Sequence, residues 1–315
     1  MISCREIFLQ MKFKKIEIFP DYANLKAEKF DIGFFGDEID DRGRTASTYT
    51  KDASSSAFHC RWDKTDLIFC VDKQGEFKPY ELSEFFKKLT ASSVLIEATT
   101  LGFVEILYIV SALNECPTVS CINFLYIEPE QYNELDSVES PLPHSFSLSK
   151  SLGQLIPLPG FTKNFVRKNF RTHLMAFLGF EASRLGRVLE DDEGAGISKF
   201  SVGIGIPAFV PGWENHTMDC NIAYLDHPSR EDITFFSANN PQTAFDAITA
   251  VAESLGEAER IVIAPFGTKP AGIGAIIYAV ANPEMCGIIY DHPLRQKDRS
   301  KGVGRCHLFQ CEKIQ

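Results

Sequence analysis

No CxxC pair occurs among the nine cysteines, which stand at positions 4, 60, 70, 116, 121, 220, 286, 306 and 311. An odd, scattered set of this kind favours neither a disulfide framework nor a structural zinc module, so the thiols read as reduced and the chain as cytoplasmic. Positive charge is in deficit: 32 basic against 42 acidic residues give a formal net charge of -10. That sign opposes nonspecific attraction to phosphate backbones and anionic membranes, and argues against a general nucleic-acid binder. Long apolar runs are missing too. The longest, Leu101 to Leu113, is 13 residues with Glu105 inside it, short of the roughly 20 needed to span a bilayer, and it reads as a buried helix. The first ten residues lack the basic, apolar, small-residue order of a secretory signal. Met11 could serve as the natural start, because the first periodic segment, Phe13 to Phe19, begins just after it.

What is present is an ordinary globular mixture. Over 315 residues, 44% are hydrophobic and 23% charged, which suits about two domains at roughly 150 residues each and excludes disorder for most of the chain. Short apolar runs at Lys15–Phe19, Asp31–Phe35, Asp66–Val71, Val94–Ile96 and Ile122–Ile127 predict strands, alternating with helical spacing over Tyr80–Leu89 and Leu101–Leu113. The second half repeats the alternation. Strands are expected at His173–Leu178, Lys199–Ile206, Ile233–Phe236, Arg260–Ala264 and Gly287–Tyr290, with helices at Glu181–Leu189, Pro241–Leu255 and Ala271–Val280. Pro241–Leu255 carries the clearest signature: Asn240 suits an N-cap, Pro241 a first turn, Phe245, Ile248, Val251, Ala252 and Leu255 form one stripe, and Gly256 stops it. Prolines and serines accumulate between Glu128 and Gly160, where the alternation lapses. The expectation is therefore α/β architecture in two Rossmann-like lobes with largely parallel sheets, an N-terminal lobe over 1–150 and a C-terminal lobe over 151–315. The basic run Lys163–Arg171 reads as a solvated face, with an anion contact as the alternative.

The stretch most suggestive of chemistry is Ile261–Tyr278, where a buried strand runs into Gly267-Thr268-Lys269-Pro270 and then a small-residue helix. Backbone N–H groups at such a helix start point at whatever sits above the end of the strand, and anions are the natural guest. Thr268 adds a hydroxyl and Lys269 a mobile charge, while Gly272 and Gly274 permit close approach; the alternative is a tight packing turn. Neither GxxxxGK[ST] nor GxGxxG is present, and no GxSxG, HExxH or Cys-His nucleophile pattern occurs. Two Asp-His-Pro-x-Arg segments, Asp226–Arg230 and Asp291–Arg295, stand at strand ends. His292 could serve as an acid or base if the protein is an enzyme, although turn chemistry explains both segments. Glu97-Ala98-Thr99-Thr100 ends a strand, with Thr99 or Thr100 expected to cap the next helix. Glu181 and Arg184 are spaced to pair on one helix, and Asp37, Glu38, Asp40 and Asp41 read as a solvated acidic loop. Cys306, His307 and Cys311 are too few ligands for zinc, so neither metal nor cofactor is expected.

The strand, Gly267-Thr268-Lys269-Pro270 and small-residue helix together resemble the ligand loop of the CARF-like Rossmann-fold sensor family, in which a Gly-Thr-Lys element lies beside a bound cyclic oligonucleotide. The resemblance covers about 20 of the 315 residues. It implies that Gly267, Thr268 and Lys269 face a phosphate or ribose, with Gly179-Phe180-Glu181 as the second turn, although Glu181 is an acid where a donor is wanted. No nuclease or HEPN-type effector pattern accompanies it. The expected function is binding of a nucleotide-like or other anionic small molecule by a sensor or regulatory component, in the prokaryotic antiviral setting that the resemblance implies. A sensor without an effector needs a protein partner encoded nearby, and a homo-oligomer would suit the role. The alternatives are an enzyme acting on a nucleotide or phosphate ester, with Lys269 stabilising developing charge, and a structural protein-interaction subunit. Finally, Arg295, Lys297, Arg299, Lys301 and Arg305 concentrate positive charge against the global sign. Arg295 and Arg299 are accordingly expected to bind the ligand as part of a basic loop closing over the Gly267 turn.

Overall fold

The computed structural model describes residues 11–25, 28–133, 148–151, 153–162, 170–190, 196–297 and 300–313. Several sequence expectations fall outside them: residues 1–10, residues 134–147 and 152 of the Pro/Ser-rich stretch, 163–169 of the basic run, 191–195 of the acidic loop, and Arg299. The chain begins β1 (Met11–Phe19), β2 (Phe30–Phe35), α1 (Asp41–Ala53), β3 (Ser54–Asp63), β4 (Ile68–Val71), β5 (Gly75–Phe77), α2 (Leu82–Lys87), β6 (Ser93–Glu97), α3 (Phe103–Asn114), β7 (Cys121–Ile127) and β8 (Gln131–Tyr132). It continues with β9 (Ser149–Ser151), β10 (Arg171–Phe177), α4 (Ser183–Glu190), β11 (Ile197–Gly205), α5 (Trp213–Cys220), α6 (Ile222–Leu225), β12 (Arg230–Phe236) and α7 (Pro241–Ser254). The remainder is β13 (Glu259–Pro265), α8 (Lys269–Ala281), β14 (Cys286–Ile288), β15 (Leu294–Arg295), β16 (Ser300–Lys301) and β17 (Cys306–Lys313). Among the described residues no helix is long and apolar enough to cross a membrane.

The chain divides into two units. One comprises Met1–Gln131, Val280–Asn282 and Ser300–Gln315, and the other Tyr132–Ala279 and Pro283–Arg299. The first unit holds an eight-stranded sheet in the order β1-β17-β7-β6-β2-β3-β4-β5. Its central strands β7, β6, β2 and β3 run parallel, whereas β17 and β1 on one side and β4 and β5 on the other pair antiparallel. The sheet is thus mixed where a largely parallel one is expected. Short turns are the physical reason: β3, β4 and β5 follow one another too closely for crossover helices and can pair only as a meander. The last strand departs from the expected 151–315 lobe as well, since β17 lies between β1 and β7 and buries Cys306, Leu308, Phe309 and Cys311. Helix α3 confirms the expectation for Leu101–Leu113, with nine of its residues buried, from Phe103 to Leu113.

The second unit holds a five-stranded sheet in the order β12-β11-β10-β13-β14, with every neighbouring pair parallel. Each crossover carries a helix: α4 from β10 to β11, α5 and α6 from β11 to β12, α7 from β12 to β13, and α8 from β13 to β14. Strands buried on both faces are apolar throughout, as in Ile261, Val262, Ile263 and Ala264 of β13. One face of this sheet packs Leu174, Ala176, Phe200, Val202, Val262 and Ala264 against Leu185 and Val188 of α4. Helix α7 begins as its sequence requires, with the Asn240 side chain accepting from the Gln242 N–H at 2.9 Å and Phe245, Ile248 and Val251 buried. Chain order along the sheet reverses between β10 and β13, so the connections that leave their carboxyl ends go to opposite faces.

Because β17 is paired on both edges, Phe309→Ala should lower unfolding free energy by about 3–5 kcal/mol. Chemical denaturation monitored by circular dichroism measures this.

Candidate functional site

The Gly267-Thr268-Lys269 turn stands at that reversal, and the turn after β10 meets it directly. A Cβ on Gly179 would lie 2.5 Å from the Phe266 carbonyl oxygen, and one on Gly267 would lie 3.2 Å from that of Leu178. Glycine at these two positions is therefore what lets the exits of β10 and β13 touch. Thr268 acts as the cap of α8: its hydroxyl donates to the Ala238 carbonyl at 2.7 Å, and its oxygen accepts from the Ala271 N–H at 3.3 Å. The Thr268 proton is thus used inside the fold rather than offered to a ligand. Lys269 is half-buried and opens α8, whose positive dipole end faces the carboxyl edge of the sheet.

Beside the turn, Arg184 on α4 grips Asp291 with both nitrogens of its fork, Nε at 3.0 and 3.2 Å and Nη2 at 2.6 Å. The expected pairing of Arg184 with Glu181 is therefore not formed; Glu181 accepts instead from the Ser149 hydroxyl at 3.0 Å. Burial works against the Arg184 charge, and Asp291, together with Tyr290 and Glu181, more than offsets it, so the guanidinium is held protonated. The guanidinium also lies over the Phe266 ring, 4.4 Å from its centroid, which ties the Asp291 exit to the β13 exit. His292 follows in a left-handed backbone conformation (φ 44°), only 6% exposed, with Nε2 3.3 Å from the Ile156 carbonyl. Asp226 caps α6, and His227 Nδ1 accepts from the Ser229 N–H at 3.1 Å, so that segment is turn chemistry. Arg295 sits half-buried in β15, which pairs with β9. At the far end of the basic run, Arg305 is held by Glu128 at 3.1 Å within the first unit. The run is thus divided between the units rather than forming one loop over the turn.

The first unit has its own strand-order reversal, between β2 and β6, and fills the carboxyl ends with polar side chains. Glu97 is fully buried, and its carboxylate accepts from the Thr99 and Thr100 N–H groups and the Thr100 hydroxyl. Thr100 also accepts from the Gly36 N–H at 2.7 Å, and Thr99 from the Ile127 N–H at 3.0 Å. Gly102, not either threonine, is the N-cap of α3. Asp40 is buried rather than solvated: it caps α1 through the Gly43 N–H and pairs with Arg42 at 3.0 Å. Glu128 likewise pairs with the buried His307. Each carboxylate of this layer is satisfied by the fold's own donors. Among the described residues no group of three or more His, Cys, Asp or Glu could hold a metal ion. Burial also pushes the Cys306 and Cys311 thiols up to about 12, so they remain protonated.

A third arrangement escapes sequence reading because its members are far apart in the chain. His173 Nε2 lies 2.9 Å from the Ser201 hydroxyl, and His173 Nδ1 lies 3.4 Å from Glu231. The order serine, histidine, carboxylate matches a nucleophilic triad, but Ser201 is 2% exposed and no substrate reaches it. His173 is a core histidine, and burial holds its pKa below the ordinary 6.5 while Glu231 opposes the shift.

Comparison of the chain with protein-family models, curated proteins and solved structures gives no match.

Two outcomes follow from the buried groups. Arg184→Met should lower stability by about 3–5 kcal/mol by leaving Asp291 unpaired, and adding Asp291→Asn should restore part of it in the same denaturant titration. For His173 the unfolded chain binds the proton more tightly than the folded one, so its contribution to stability is present above pH 6.5 and is lost as pH falls below it. Melting curves against pH should show a shallower acid decline for His173→Gln than for the wild type.

Proposed function

We propose that the second unit is a Rossmann-like module that binds a nucleotide-like or otherwise phosphorylated ligand at the Gly267–Lys269 turn, and that the protein acts as a ligand sensor or regulatory component. One observation carries this reading: the residues selected by their anion-suited chemistry stand where the strand order of a wholly parallel sheet reverses. Open α/β sheets bind ligands in the crevice at such a point, outside the carboxyl ends of the strands. The start of α8 supplies a positive dipole end there and Lys269 a full charge, while the paired glycine turns hold the two strand exits in contact. The likeness of Gly267-Thr268-Lys269 to the CARF-type ligand loop supports the sensor role and an output delivered by a protein partner.

A catalytic role for His292 draws little support from its surroundings. Its Nε2 faces the Ile156 carbonyl, and the neighbouring Asp291 is committed to Arg184. Arg295 remains a candidate second contact, since its charge lies in the strand that follows the Asp291–His292 exit.

Calorimetric titration with ADP, followed by product analysis, tests the proposal. Binding without turnover is expected, and Lys269→Ala should weaken it by about 1.5–3 kcal/mol, the range for a charge-assisted hydrogen bond. Absence of ADP binding, or a Lys269→Ala variant that loses stability but not affinity, would overturn it.

A further inference from the structure

We infer that the ligand carries a heteroaromatic base and that Phe180, Trp213 and His216 form the surface on which it stacks. This rests on the phosphate-binding reading of the Gly267 turn and narrows the ligand from any phosphate ester to a nucleotide. Trp213 is the first residue of α5 and His216 lies one turn further on the same helix face. Both meet Phe180 edge to face, with ring centroids 5.6 and 4.8 Å apart. Tyr132 packs against Trp213 at 5.4 Å, and the Cys220 sulfur, another turn along α5, lies 3.5 Å from His216 Nε2. The rings are thus held in fixed orientations before any ligand arrives.

Burial separates this group from ordinary core packing. Phe177 and Phe236, paired edge to face in the same unit, are 0% and 2% exposed, whereas Phe180, Trp213, His216 and Tyr132 are all half-buried. Partly exposed aromatic surface at the carboxyl edge of the sheet is what a base would cover, because every base presents a π-face to it. Position supplies the second argument. Phe180 follows Gly179, whose missing Cβ would lie 3.8 Å from the Gly267 Cα. The Asn221 amide, where α5 meets α6, donates to the Gly179 carbonyl at 2.9 Å, fixing the aromatic helix to that turn. One residue therefore separates the anion-suited turn from the rings, and a molecule with a phosphate at one end and a planar base at the other matches this spacing.

The chain has two tryptophans, so a Trp62→Phe background leaves Trp213 as the sole indole reporter. Fluorescence titrations with AMP, ribose 5-phosphate and inorganic phosphate then separate the two ends of the ligand. AMP should quench Trp213 and bind about tenfold or more tighter than ribose 5-phosphate, the gain expected from stacking one base. Phe180→Leu, and independently His216→Leu, should abolish that preference while leaving ribose 5-phosphate affinity unchanged, and Phe180→Tyr should keep it. Equal binding of AMP and ribose 5-phosphate by the parent protein, or a preference that survives both leucine variants in folded protein, overturns the base subsite and leaves the phosphate reading standing. If none of the three ligands binds, both readings fall.

Discussion

A sheet whose strands all run one way must carry the chain back across its faces after every strand, and the second unit is organised by that constraint. Four helical crossovers bury both faces of β10, β13 and their neighbours. At the reversal between β10 and β13 successive crossovers leave for opposite faces, so no helix seals the gap at the carboxyl ends. Everything assigned to the candidate site is a consequence: the two glycine turns meet there, α8 opens there, and the Arg184–Asp291 pair ties the exit after β14 to its neighbours. A buried pair of this kind adds little net stability over an apolar one but is expensive to break, which suits a group that sets geometry.

The two units treat their reversals differently. In the first, Glu97, Thr99, Thr100, Asp40 and Arg42 fill the carboxyl ends and satisfy one another, so the polar groups are used up in holding the strands' exits. In the second, Thr268 caps α8 and Arg184 holds Asp291, and a half-buried lysine and half-buried aromatic rings stand beside them. Partly exposed charge and π-surface are what a ligand can cover, whereas a fully buried network stabilises a fold. This contrast is the reason for assigning the ligand to the second unit.

The parts legible in the sequence are those whose determinants are local. Asn240-Pro241 and the stripe from Phe245 to Val251 specify α7 within fifteen residues, and the run from Ile261 through Lys269 announces strand, turn and helix in order. Strand β17 was not legible because Cys306-His307-Leu308-Phe309-Gln310-Cys311 lacks both alternation and a β-branched run; its pairing with β1 and β7 is decided by contacts almost the length of the chain away. Strand β3 is similarly masked by its serines, Ser54 to Ser56. At the site, the glycine turn was readable, whereas the partner of Arg184 was not: helical spacing favours Glu181, and only the tertiary fold brings Asp291 within 2.6 Å. The aromatic group draws on Tyr132, Phe180 and α5, which share no sequence pattern. Its one local signal was the Trp213–His216 spacing.

Hydrogen-exchange mass spectrometry on the whole chain, with and without AMP, tests the central claim most directly. The account predicts slowed amide exchange in peptides covering 177–182, 213–221 and 265–272, with those covering 36–42 and 97–100 unchanged. Protection confined to the carboxyl ends of β2 and β6 would contradict it.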